Sequence, residues 1–220
     1  MGLIYSGKLW MIQRFISGFS NNSFLVTCKR TNKSIIIDTP ADPADLLNSS
    51  ENFSIVGILI THGHYDHLEG FKEVYDRYKV PVGIGNNDIN SLPLKPKDYI
   101  NVDDGSINTF GDLLIRSIET PGHTSGSTCY FLPGESPGSE PHLFSGDTLF
   151  PGGPGKSLTH ENFLEIVKSI TTKLYSLPNH THILPGHGEF ITLEDSIKEF
   201  EEFNKNPLDN NTFGNVKWIN

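Results

Sequence analysis

Apolar positions along the chain follow two periods. Short runs of β-branched and aromatic residues, bounded by Gly, Pro, Asn or Asp, predict strands at Phe24–Cys28, Ser34–Asp38, Ile55–Ile60, Leu113–Ile118, Thr128–Leu132, His142–Ser145 and His182–Leu184. A spacing of three and four takes over from Leu68, through Phe71, Val74, Tyr75 and Tyr78, and again from Phe163, through Ile166, Val167, Ile170 and Leu174. That spacing places each set on one buried helix face. Thr159 and Thr192 stand where an N-cap hydroxyl belongs, the second with Asp195 three residues on. The segment LPGESPGSEP, Leu132 to Pro141, is dense in turn formers and predicts an exposed connection between two strands. Strands interleaved with helices over the whole length predict an α/β or α+β layered architecture, with residues 1–220 as one domain.

Composition changes this picture little but excludes several classes. A content of 36% hydrophobic and 20% charged residues, with 14 phenylalanines, describes a globular chain and excludes a disordered or collagen-like one. The net charge of −9 argues against a broad nucleic-acid-binding face, which would need cations to displace counterions from phosphates. The only cysteines, Cys28 and Cys129, lie in strand-like surroundings without CxxC spacing and read as buried free thiols. No run reaches about 18 apolar residues, and the N-terminal stretch MGLIYSGKLWMIQRF has no basic segment followed by a continuous apolar one. A cytoplasmic protein acting on a small molecule is expected, without a membrane or nucleic-acid partner and with the oligomeric state open.

The chemistry concentrates where predicted strands end. THGHYDHLEG follows the run Ile58–Ile60, PGH at His123 follows Ile115–Ile118, SGD at Asp147 follows Leu143 and Phe144, and a second PGH at His187 follows Ile183 and Leu184. Each apolar strand thus stops in a turn that presents a ligand-type side chain beside a glycine, and the four ends are expected to converge at one edge of a sheet. His62, His64, Asp66, His67, His123, Asp147 and His187 supply five imidazoles and two carboxylates, more than one tetrahedral ion uses. Two divalent ions are therefore expected, zinc before iron. In H-x-H-x-D-H the first two histidines share a side of an extended backbone, and Asp66 and His67 open the following helix. Such a site lowers the pKa of bound water toward about 7 and stabilises developing oxyanions. His142, His160, His180 and His182 carry no such spacing and read as structural. Asp38, at the end of its strand, fits either a carboxylate that orients a ligand histidine or an ordinary strand-end residue.

These motifs identify a resemblance. THGHYDH, ETPGHTSGS, FSGDTLFPGG and LPGHGE, in this order, resemble the metallo-β-lactamase-fold hydrolase superfamily, and in particular its glyoxalase II-like branch, from about Phe24 to Glu189. The resemblance implies an α+β fold, an αββα sandwich with a binuclear site at one edge. It implies that His62, His64 and His123 bind one metal, that Asp66, His67 and His187 bind the other, and that Asp147 bridges them, with Asp66 also helping to orient the attacking hydroxide. Asp147 stands where one class of true β-lactamases carries cysteine, and Phe150 where quorum-sensing lactonases carry tyrosine. Lys156 matches a glutathione-contacting lysine of glyoxalase II, although in its own surroundings it also reads as a solvated loop residue. Only a short segment follows His187, so most of the helical region that completes glutathione binding in that branch has no counterpart here. A zinc-dependent hydrolase of a small thioester or ester is the leading expectation. The alternatives are a mononuclear iron persulfide dioxygenase, a lactonase or β-lactamase-type hydrolase, and a non-catalytic or RNA-associated member of the fold.

Overall fold

The computed structural model describes residues 2–209 and 211–219. Its first half builds a six-stranded sheet in sequential order from β1 (Gly2–Ser6), β2 (Trp10–Ser17), β3 (Asn21–Cys28), β4 (Lys33–Ile37), β5 (Ser54–Leu59) and β6 (Val82–Gly83). The pairs from β1 to β4 are antiparallel, whereas β4, β5 and β6 run parallel, connected by α1 (Ala44–Ser50), α2 (Tyr65–Leu68) and α3 (Phe71–Tyr78). The second half supplies β7 (Ile107–Phe110), β8 (Leu113–Glu119), β9 (Thr128–Leu132) and β10 (His142–Gly146), then the small β11 (Leu149–Phe150) and β12 (Gly153–Pro154) ribbon. It continues through α4 (His160–Ser169), β13 (His182–Pro185), β14 (Ile191–Thr192) and α5 (Leu193–Phe203). The second sheet has the order β14-β13-β10-β9-β8-β7.

Strand alternation explains the layers. Phe24, Val26, Ile35, Ile37 and Leu59 point inward and meet Leu113, Ile115, Tyr130, Phe144 and Leu184 of the second sheet in a shared core. Their neighbours Leu25, Ile36 and Ile58 point outward onto Leu46 of α1 and Phe71 and Val74 of α3. On the far side Cys129, Phe131, Leu143 and Ile183 pack on Ile166 of α4 and on Leu193, which opens α5. Helix, sheet, sheet and helix therefore stack around three apolar clusters, the αββα sandwich. Cys28 and Cys129 are buried free thiols in two different clusters. Among the described residues no helix is long and apolar enough to cross a membrane.

All seven predicted strands form, and both predicted caps are made: the Thr159 and Thr192 hydroxyls accept from the amides of Asn162 and Asp195. The helix expected to run on from Leu68 is interrupted. α2 ends there and α3 begins at Phe71, because the Gly70 amide donates to the Thr39 carbonyl at 2.9 Å; the chain there passes so close to Pro40 that a Cβ would lie 2.4 Å from its carbonyl oxygen. The periodic face from Phe163 is continuous, but its last turn, Ile170–Leu174, is a π-helix.

Candidate metal centre

Topology brings the ligand-type residues together. β9 is antiparallel to both β8 and β10, and β13 is parallel to β10, so β8, β10 and β13 all finish at the same end of the second sheet. In the first sheet β4 and β5 finish together, and β3, antiparallel to β4, begins there. The sequence expectation of one sheet edge is thus corrected: His62 comes from the first sheet, His123, Asp147 and His187 from the second. The site lies between two sheets because their strands end at a common level. A hydrogen bond from the Thr128 amide to the Thr61 carbonyl, 2.8 Å, ties the two edges.

Two triads result. His62 Nε2 and His123 Nε2 lie 3.2 and 2.9 Å from His64 Nδ1. Asp66 Oδ2 and His67 Nε2 lie 3.1 and 3.2 Å from His187 Nε2. Asp147 stands between them, with Oδ1 3.4 Å from His67 Nε2 and Oδ2 3.5 and 3.6 Å from the Nε2 atoms of His123 and His187. Within each of the sets His62–His64–His123, His62–His67–Asp147 and Asp66–His67–His187, the donor atoms all lie within 4.8 Å of one another. All seven sequence-predicted metal candidates therefore converge. His142 and His182 stack on each other away from these sets, and His160 faces the Thr212 carbonyl.

Outer contacts fix the direction of four imidazoles. The Nδ1 atoms face the Thr61 hydroxyl for His62 (3.1 Å), Asp38 Oδ2 for His67 (2.9 Å), the Lys156 carbonyl for His123 (2.8 Å) and the Phe19 carbonyl for His187 (3.2 Å). In a neutral ring, an Nδ1–H donated to an oxygen leaves Nε2 with its lone pair directed into the centre. Asp38 resolves toward the orienting role. It is buried, has φ +56°, and also accepts from the Thr61 amide and hydroxyl at 2.8 and 2.7 Å.

Two supporting residues have no sequence signal of the ligand type. Asn21 donates to Asp66 Oδ2 at 2.9 Å. Asp88 accepts from the Gly63 amide, the Thr124 hydroxyl and the Gly126 amide at 2.7, 2.6 and 3.1 Å, and so clamps the loops carrying His62, His64 and His123. The asparagine pair before the apolar run FLV was the one available hint of the first, since two buried amides opening a core strand need partners; nothing marked the second.

The electrostatics fit a cation site. Burial keeps His62 and His123 below the ordinary imidazole range. Burial also opposes charge on His67, but the Asp38 and Asp147 carboxylates overcome it and push the imidazolium up to about 10. Burial would raise the Asp147 carboxyl, yet the surrounding imidazoles of His67, His62 and His123 hold it far below the usual carboxylate range. Asp66 is likewise lowered, against burial, chiefly by the Asn21 amide. The anionic oxygens and the neutral rings of His62 and His123 are already in the states metal ligands need, whereas His67 would give up its Nε2 proton on binding a cation.

Two further observations test the fit of a metal. Asp147 Oδ1 is buried and makes no hydrogen bond. At Gly186 a Cβ would lie 2.4 Å from that oxygen and 2.5 Å from His67 Cε1, so the PGH glycine leaves the space in which these donors face one another. The donor set fits divalent metal on both counts.

A cleft of about 350 Å³ opens onto the centre, lined by His123, Asp147, His187, Phe150 and Lys156, together with the C-terminal residues Asn215 to Lys217. The Phe150 ring lies 6.5 Å from that of His187. Lys156 is exposed and lines this cleft, as expected of a residue at the mouth.

Comparison with known proteins agrees with this architecture. The family described as the metallo-beta-lactamase superfamily matches residues 16–187. The chain is similar to a probable polyketide biosynthesis zinc-dependent hydrolase, BaeB, of Bacillus velezensis, at 29% identity over 187 residues, 82% of this chain and 78% of the relative. It is similar to a probable hydroxyacylglutathione hydrolase, glo2, of Schizosaccharomyces pombe, at 29% identity over 186 residues, 81% of this chain and 67% of the relative. A crystal structure of a metallo-beta-lactamase from Staphylococcus aureus superposes with a TM-score of 0.76 at 25% identity, covering 88% of this chain and 62% of that one.

Proposed function

The chain belongs to the metallo-beta-lactamase superfamily as a metallo-hydrolase, and from the geometry of its centre we propose a binuclear, zinc-dependent hydrolase of a small thioester or ester. The observation that carries the reading is Asp147, whose one carboxylate lies within 3.6 Å of His123 in one triad and of His187 in the other. A single ion would leave several of the seven donors unpaired in a buried site, at a cost that a second ion removes. The names of two relatives, a zinc-dependent hydrolase and a hydroxyacylglutathione hydrolase, support zinc and a thioester respectively.

In this reading His62, His64 and His123 would hold one ion, Asp66, His67 and His187 the other, and Asp147 both. When bound, two such ions supply a water ionised near neutral pH and positive charge for the developing oxyanion. The protein's part is orientation. Asp38 fixes the His67 ring, the Lys156 carbonyl fixes His123, and Asn21 holds the Asp66 carboxylate toward His187. The Asp66 carboxylate would thereby orient the attacking water, and Lys156 at the mouth would attract an anionic part of the substrate. The two free, buried thiols support a reducing, cytoplasmic setting.

Turnover of the metal-loaded protein on thioesters, lactones, phosphodiesters and persulfides tests the proposal. Thioester or ester hydrolysis without oxygen uptake is expected. Oxygen consumption on a persulfide, with no hydrolysis of any ester, would overturn it.

A further inference from the structure

The segment after α5 returns to the metal cleft and forms part of its wall. Two rungs hold it there. Ser157 and Gly214 exchange backbone hydrogen bonds of 3.1 and 3.0 Å, and the Trp218 amide donates to the Gly152 carbonyl at 2.8 Å. Between these rungs lie residues 153–156 on one strand of chain and 215–217 on the other. Contact between them is close: a Cβ on Gly153 would sit 3.1 Å from the Val216 carbonyl oxygen. The anchor is apolar. Trp218 is 3% exposed and packs against Phe200 at 5.0 Å between ring centroids, with Tyr175 and Phe203 around it. A core residue at 218 thus sets the backbone position of its exposed neighbour Lys217.

Among the described residues, Lys217 and Lys156 are the only lysines or arginines lining the cleft. Each is exposed, and neither ammonium makes a hydrogen bond or ion pair with a described residue. Lys217 also borders a second cleft lined by Glu202 and Asp209 and forms no ion pair with either. In a chain of net charge −9, two unpaired cations brought to one small cleft by two separate segments mark a place for negative charge outside the metal centre. His123, Asp147 and His187 line the same cleft of about 350 Å³ as both lysines, so an anionic group held by the lysines would lie beside the metal donors.

We propose that the C-terminal tail is part of the substrate site, and that Lys217, paired with Lys156, selects small substrates bearing a carboxylate next to the thioester or ester. This deepens, and rests on, the hydrolase reading. The lysines act on binding in the ground and transition states alike, so they set KM and leave kcat.

The test uses the metal-loaded 220-residue chain and two matched probes, S-acetyl-3-mercaptopropionate and its neutral carboxamide. Lys217→Ala and Lys156→Ala are each expected to raise KM for the carboxylate by about five-fold, as exposed charge contacts do. The kcat should stay within about two-fold, the carboxamide should be unaffected, and Lys217→Arg should retain the preference. Calorimetric titration with glutarate reads the same lysines without turnover. If neither thioester is hydrolysed by the parent protein but glutarate binding weakens in the lysine variants, the hydrolase reading fails and the anion site stands. Equal change on both thioesters, or glutarate binding indifferent to both lysines, overturns the proposal.

Discussion

Each end of β10 carries an ionisable side chain, and the two are treated oppositely. At its start His142 is buried between Tyr5 and His182, its Nδ1 makes no hydrogen bond, and burial pushes the ring down to about 3. Just past its end Asp147 is surrounded by imidazoles that keep it ionised. At the first end the protein suppresses charge; at the second it concentrates and orients charge. The difference teaches that polar burial alone does not mark a functional site. What marks it is convergence of inward donors, each held from behind by a second partner.

Replacing Asp66 should give the largest effect. Asp66→Ala is expected to lower turnover on the order of 10³-fold, about 4 kcal/mol of transition-state stabilisation, and to loosen one metal. The melting temperature of the metal-free protein should change by only a few degrees, because Asp66 is half-exposed. Turnover like that of the parent protein at full metal content would remove Asp66 from the mechanism.

Asp38 probes the supporting contacts behind the ligands. Asp38→Asn keeps a residue that tolerates the left-handed backbone at φ +56° but replaces the carboxylate behind His67. Metal affinity should fall about 10- to 100-fold, measured by competition with a chromogenic chelator. Unchanged affinity would reduce Asp38 to a brace for Thr61.

His142 provides the contrasting case. Its folded value lies below the unfolded one near 6.5, so its contribution is present above pH 6.5 and is lost as pH falls from there toward 3. His142→Phe should flatten acid destabilisation over that window, by on the order of 3 kcal/mol in denaturant melts, without changing metal content. An unaltered pH profile would show that the ring escapes burial before it charges.

The sequence was most informative where local pattern and tertiary role coincide. β3, β4, β5, β8, β9, β10 and β13 are core strands, and their short runs of β-branched and aromatic residues between turn formers identify them without reference to partners. β1 and β2 escaped because Ile16 and Leu3 are exposed on an edge hairpin, which blurs the alternation. The two-residue strands β6, β11, β12 and β14 exist through pairing alone. In the site, ligands were legible because histidine and aspartate recur beside glycine at strand ends. Asn21 was not, since its role depends on meeting Asp66 from 45 positions away. The tail carries no motif, yet Trp218 anchors it in the core and Lys217 lines the cleft, a contact that no periodicity encodes.

The central claim is that Asp147 joins two metal sites in a hydrolase. Elemental analysis of the protein as isolated, with oxygen uptake followed on glutathione persulfide, tests it most directly. About two divalent ions per chain, principally zinc, and no oxygen uptake are expected. One iron per chain with oxygen consumed would contradict the account and make the chain a dioxygenase.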